Sequence, residues 1–197
     1  MYNSVIVFDT ESTGGGNTCD IVELGAVKVV GTEIIAEYHE RFCSDKPVNS
    51  HVAAITGITD HSVGMPPKDG LQKFLEFSGE NVLYVGHNLK VFDIPLLERI
   101  CKEQGLQLPK FRIYDTILQM RADLSGNKYP NFRVAQETKH SLSKGVLTNL
   151  TAACAHYQIN HNLEYHRALT DAKITHKVFT RQIALNNYFI RINQPTV

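Results

Sequence analysis

The stretch that most limits how this chain can fold is Val5-Ile6-Val7-Phe8 followed directly by Asp9-Thr10-Glu11. An apolar, largely β-branched run of this kind reads as a strand covered on both faces. Side chains two apart on a strand share a face, so Asp9 and Glu11 project together from the end of that strand. Two adjacent carboxylates at a buried strand end repel each other and lose solvation, unless a proton or a cation sits between them. Hard oxygen donors suit a divalent metal ion. The alternative is that one carboxylate caps a turn while the other is solvated.

At 197 residues, with 43% hydrophobic and 20% charged residues, the chain fits a single globular domain over 1–197 with a substantial core. No apolar run approaches the length needed to span a bilayer, and the first residues lack the pattern of a signal peptide, so a cytoplasmic protein with no membrane partner is expected. Cys19, Cys43, Cys101 and Cys154 are scattered, which favours free thiols over a zinc site. Net charge is zero but uneven: residues 1–109 carry 8 Lys/Arg against 15 Asp/Glu, and residues 110–197 carry 12 against 5. An acidic half can supply metal ligands while a basic half meets phosphates; equally, both can be solvated surface.

Along the chain, 13–17 reads as a glycine-rich turn that lacks the Gly-Lys-Ser/Thr ending of a phosphate-binding loop. Strands are expected at 21–30 and 33–42, joined through Gly31 as a hairpin, with Glu23 facing either solvent, the favoured side, or the acidic site. A short helix ending at Gly57, an amphipathic helix over 69–78 and a buried strand over 82–86 follow. Pro95 fits the first turn of a helix running to about 103, which puts Asp93 at its N-terminus, as ligand or cap. A helix is expected over 114–122 with Asp115 as N-cap or support. Residues 124–144 read as a long loop whose Tyr129 and Phe132, among Lys128, Arg133, Lys139 and Lys144, suit base stacking or simply anchor the loop. Helices are expected over 145–157 and from after His166 to about 185, the second with Ala172, Thr175, Val178 and Phe179 on its packed side. His156 and His161 show no pattern of partners.

Three acidic signals thus recur in order. Asp9-Thr10-Glu11-Ser12-Thr13-Gly14 matches Asp-x-Glu-x-Thr-Gly, His87-Asn88-Leu89-Lys90-Val91-Phe92-Asp93 resembles His-Asn-x-x-Phe-Asp with one insertion, and His166 through Asp171-Ala172 matches a His followed five residues later by Asp-Ala. In this order they closely resemble the DEDDh, or DnaQ-like, 3′–5′ exonucleases. The sister group with tyrosine would need Tyr at the position of Arg167, so the histidine subgroup is the match.

The resemblance implies an α/β, RNase H-like fold: a five-stranded mixed sheet, its first three strands antiparallel, flanked by helices. It implies that Asp9, Glu11, Asp93 and Asp171 hold two Mg²⁺ or Mn²⁺ ions, and that His166 takes a proton from the attacking water. Thr10, Ser12, Thr13, His87 and Asn88 become candidates for substrate contact. Many relatives carry a bulky apolar residue after the first motif; here it is Gly15, so Ile55 or Ile58 is a candidate grip on the terminal base. The expected substrate is the 3′ end of single-stranded nucleic acid, DNA slightly ahead of RNA, with release of nucleoside 5′-monophosphates. A DNA polymerase partner and a homodimer are compatible with the resemblance. An RNA-trimming enzyme, or a silent polymerase-associated binding module, is the competing expectation.

Overall fold

The computed structural model describes residues 2–16 and 18–188. In chain order its elements are β1 (Ser4–Ser12), β2 (Ile21–Val30), β3 (Glu33–Arg41), α1 (Ser50–Thr56), α2 (Pro67–Ser78), β4 (Val82–Gly86), α3 (Asp93–Glu103), β5 (Phe111–Asp115), α4 (Thr116–Leu124), α5 (Phe132–Glu137), α6 (Leu150–His156) and α7 (Ala168–Asn186). The strands form one sheet in the order β3-β2-β1-β4-β5. β1–β2 and β2–β3 are antiparallel, while β1–β4 and β4–β5 are parallel. This is the expected five-stranded mixed sheet of the RNase H-like fold.

Strand alternation divides the core. Ile6 and Phe8 of β1 face α2 and α3, where they join Leu71, Phe74, Leu97 and Ile100. Phe8 meets Phe74 and Tyr84 at ring-centroid distances of 5.4 and 5.2 Å. Val5 and Val7 face the other way and pack with Val27, Val29 and Phe179 of α7. β1 is therefore the sheet's central strand, apolar on both faces until Asp9. A third cluster ties α4 and α6 to α7 through Met120, Cys154, Ile174 and Val178. Gly57 ends α1 in the left-handed conformation at φ 72°, donating its amide to the Ala53 carbonyl. No helix among the described residues is long and apolar enough to cross a membrane.

Four local expectations are corrected. The helix expected over 114–122 is split: Tyr114 and Asp115 close β5, and α4 starts at Thr116, capped by Asp115 through the Ile117 amide. The expected loop over 124–144 contains α5, capped by the Asn131 side chain, and Phe132 is buried against Tyr114 with centroids 5.4 Å apart. Phe132 therefore has no face open for a base, and Tyr129 is held by His140 through a 3.1 Å hydrogen bond. The helix expected over 145–157 begins only at Leu150, with Leu147 69% exposed. Glu23 points inward and is fully buried.

Candidate active site

One face of the β1–β2 ladder changes character along its length. Residues directly opposite on an antiparallel pair project from the same face. The successive pairs are Val5–Val29, Val7–Val27, Asp9–Gly25 and Glu11–Glu23. The first two pairs lie under the body of α7. The last two turn the same face acidic at the N-terminal end of that helix, where Asp171 sits in the first turn. There, carboxylate oxygens of Asp9, Glu11 and Asp171 lie within 4.8 Å of one another.

Asp93 reaches the same corner from the start of α3. Its Oδ1 accepts hydrogen bonds from the Thr10 amide (3.1 Å) and the Thr10 hydroxyl (2.6 Å). Phe92 holds the N-cap position of α3, and Asp93 opens the helix with Oδ1 turned to β1. The sequence thus delivers four carboxylates from β1, α3 and α7 to one place.

Their ionisation reflects the crowding. Burial pushes the Asp9 carboxyl well above the usual carboxylate range, and the charges of Asp93, Glu11 and Asp171 push the same way. Glu11 is raised to about 8 by burial and then by Asp171 and Glu23. Asp93 is raised to about 7, chiefly by burial, against the lowering effect of its Thr10 bonds. Asp171 is also raised by burial, although the His166 amide partly offsets it. Asp171 Oδ1 is buried and has no hydrogen-bond partner. A convergent, all-oxygen, undercompensated cluster with one orphaned oxygen fits hard divalent cations, which would return the lost solvation and relieve the repulsion.

His166 stands at the rim. Its backbone is left-handed (φ 66°), and its amide donates to Asp171 Oδ2 at 2.9 Å. This left-handed turn brings the chain into α7 and leaves the imidazole exposed beside the cluster. A non-glycine residue in that region carries strain that the surrounding contacts must hold.

The remaining candidates are placed differently. Thr10, Ser12 and Thr13 are buried, with side chains bonded to Asp93, the Gly14 carbonyl and the Asp20 amide respectively. They brace the turn after β1, so the expected substrate contact through these side chains is not what the structure presents. Ile58 is only 2% exposed and offers no surface to a base, whereas Ile55 is 43% exposed on α1. His87 bonds the Thr116 hydroxyl and the Thr148 carbonyl, both at 2.8 Å, and burial lowers its pKa to about 4. It pins the α6 approach to the sheet as a neutral ring. Asn88 is exposed and left-handed at φ 66°, its amide held by Asp115.

Glu23 entered the sequence reading only with its outward direction favoured, and Gly25 escaped it. Glu23 accepts bonds from Arg167, His39 and the Ala168 amide. Burial alone would raise its carboxyl, but these bonds hold it below the usual range. Gly25, opposite Asp9, lets α7 lie directly on the sheet: a Cβ there would come within 2.0 Å of the Leu169 nitrogen. Strand alternation could have put Glu23 and Gly25 on the face of Val27 and Val29. Both faces of β2 are apolar, however, so alternation alone does not say which face carries the site.

With this geometry in view, comparison with known proteins gives the class. Residues 6–179 match the model of a family described as exonuclease. The chain belongs to that exonuclease family. It is 30% identical over 186 residues to the PolC-type DNA polymerase III of Caldanaerobacter subterraneus subsp. tengcongensis, covering 93% of this chain and 12% of that protein. It is 34% identical over 173 residues to the PolC-type DNA polymerase III of Listeria innocua, covering 86% and 10%. The chain thus spans about an eighth or less of these relatives' length. Among solved structures, the zinc-bound complex of Escherichia coli exonuclease I with single-stranded DNA matches with a TM-score of 0.76 at 15% identity, over 95% of this chain and 42% of that one. Exonuclease X in complex with 5′ overhanging duplex DNA matches with a TM-score of 0.67 at 21% identity, over 94% of each chain. At these identities the structural matches establish the fold.

Proposed function

We propose that the protein is a metal-dependent 3′–5′ exonuclease that hydrolyses the terminal phosphodiester of single-stranded ends, DNA ahead of RNA, and releases nucleoside 5′-monophosphates. The observation that carries this reading is the convergence of Asp9, Glu11 and Asp171 within 4.8 Å, with Asp171 Oδ1 unpartnered and Asp93 alongside. Asp9, Glu11, Asp93 and Asp171 would hold two Mg²⁺ or Mn²⁺ ions. Such ions supply Lewis-acid stabilisation of the charge on the transferring phosphoryl group and favour deprotonation of the attacking water. His166, exposed at the rim, accepts that proton on its imidazole. Thr10 fixes the Asp93 carboxylate, and the His166 amide fixes Asp171. Sequence kinship to PolC-type DNA polymerases and the DNA ligands of the structural neighbours support DNA as substrate and a place beside a polymerase.

The test is a set of single-stranded DNA and RNA oligonucleotides labelled at either end, incubated with Mg²⁺, with Mn²⁺ or with chelator. Metal-dependent loss of the 3′ label as mononucleotide, faster on DNA, is the expected result, and Asp9→Ala should abolish it without unfolding the chain. Persistence of the 3′ label with both metals would refute the enzymatic reading, and full activity in Asp9→Ala would refute the ligand assignment.

A further inference from the structure

We infer that Glu23 and Arg167 form a positioning clamp that sets the distance between the two halves of the catalytic cluster. This rests on the proposed nuclease reading of the same site. Asp9 and Glu11 belong to the sheet, whereas Asp171 and His166 belong to the N-terminal end of α7. Something must fix one against the other.

The helix does not do so from within. Arg167 is the N-cap of α7 but makes no local side-chain cap hydrogen bond. The missing acceptor comes from β2, 145 residues earlier in the chain: Glu23 Oε2 accepts from the Ala168 amide at 3.3 Å. The same carboxylate takes Arg167 Nη2 at 2.8 Å and Arg167 Nε at 3.2 Å on Oε1. His39 Nε2 of β3 meets Oε1 at 2.6 Å. One buried carboxylate thereby joins β2, β3 and the first residues of α7. Planar, forked guanidinium donors fix orientation as well as distance.

Clamp and site are contiguous at both ends. Glu23 lies directly opposite Glu11 in the ladder, and the next inward-facing residue, Gly25, opposite Asp9, is where the helix backbone touches the sheet. Arg167 adjoins His166, and its carbonyl accepts the amide of Asp171. A change at Glu23 or Arg167 is thus passed to His166 by one peptide bond and to Asp171 by one helical turn. A second tie, Lys173 to Glu37 at 2.8 Å, joins the same helix to β3 one residue pair further along the sheet but touches no catalytic group. It provides the control.

The experiment compares Glu23→Gln, Arg167→Ala, Arg167→Lys and Lys173→Ala with the unaltered protein, well below every variant's melting temperature. Steady-state kinetics on a single-stranded oligonucleotide are read beside Mg²⁺ titrations of thermal stability, which need no turnover. Orienting partners of metal ligands typically matter by ~10–100-fold in affinity or activity. Glu23→Gln and Arg167→Ala are expected to lower kcat by about that factor with KM nearly unchanged, and to raise the Mg²⁺ concentration for half-maximal stabilisation about tenfold. Arg167→Lys, which keeps the charge and loses the fork, should recover only part of both. Lys173→Ala should lower the melting temperature and leave kcat and Mg²⁺ demand in place. Normal kcat and Mg²⁺ demand in both Glu23→Gln and Arg167→Ala would overturn the clamp, as would an equal kcat loss in Lys173→Ala. Should Glu23→Gln fail to fold, the half-exposed Arg167 still decides the question. An inactive unaltered protein would sink the nuclease reading alone, because the Mg²⁺ titrations still report whether the clamp positions the carboxylates.

Discussion

Raising the pH of the metal-free protein should weaken its fold over a range where most proteins are indifferent. Glu11 has an ordinary pKa of 4.5 and is held at about 8 in the folded chain, and Asp9 is also raised well above its usual range. A carboxyl raised by folding adds stability below its unfolded pKa and loses it as pH climbs through the folded value. Each proton retained only by the folded chain tilts stability by about 1.4 kcal/mol per pH unit. Between about pH 7 and about pH 8.5 the Glu11 proton and the remainder of the Asp93 proton, held at about 7, are given up, for a loss of roughly 1–2 kcal/mol. For a chain of this size that is a fall in Tm of roughly 2–8 °C. Asp93 acts in the same direction at the lower edge of this window. His87, at about 4 in the fold against 6.5 normally, has delivered its whole contribution by pH 6.5. Glu23, held below its ordinary value, is fully charged, and Cys101, pushed up to about 12, adds its loss only above about 9. Differential scanning calorimetry in chelator reads the slope directly. Saturating Mg²⁺ should flatten or invert it, because binding to carboxylates releases the retained protons. Glu11→Gln in chelator should remove about one proton's worth. A Tm in chelator that is constant or rises across the window would refute the electrostatic account of the cluster.

Two substitutions test the corrections and the packing. Gly25→Ala puts a methyl group 2.0 Å from the Leu169 nitrogen, so α7 must lift from the sheet; a loss of about 1–3 kcal/mol in denaturant unfolding is expected, with activity falling as well. Phe132→Ala should cost about 3–5 kcal/mol and leave KM for oligonucleotides unchanged, because the ring packs on Tyr114; a raised KM at unaltered stability would restore a stacking role.

Much of this was legible in the chain. The run of Val5 to Phe8 and the two-residue spacing of Asp9 and Glu11 placed the central strand and its acidic end. Order and spacing of the other motifs supplied Asp93, Asp171 and His166. What remained hidden depended on pairing register or on tertiary burial. β5 is five residues long, too short for its alternation to stand out, and Asp115 signals the start of α4 so strongly that Tyr114 was absorbed into the helix. Phe132 lies just after Pro130 and Asn131, which read as loop residues, yet Asn131 is the cap of α5. Thr10 shares the inward face of Ile6 and Phe8 by simple alternation, whereas the directions of Ser12 and Thr13 depend on the irregularity between Glu11 and Ser12 and on the turn beyond it. Nothing local to Gly25 says that a helix from the far end of the chain will rest on it.

Glu11 and Glu23 pose the same physical problem and receive opposite answers. Like charges directly across an antiparallel ladder repel, and both carboxylates lie at the foot of α7. Glu23 is met by a guanidinium, an imidazole and an amide, and its carboxyl falls below the usual range. Glu11 has Arg167 only as a weaker, more distant influence, and its carboxyl rises to about 8. Had the fold needed only to neutralise this corner, a second basic side chain would have served Glu11 as Arg167 serves Glu23. Instead the compensation stops one pair short, and Asp9, Glu11 and Asp171 Oδ1 face the same unfilled need. Partly buried carboxylates left short of protein partners beside one that is fully satisfied are what an acidic cluster requires if cations, rather than side chains, are to complete it.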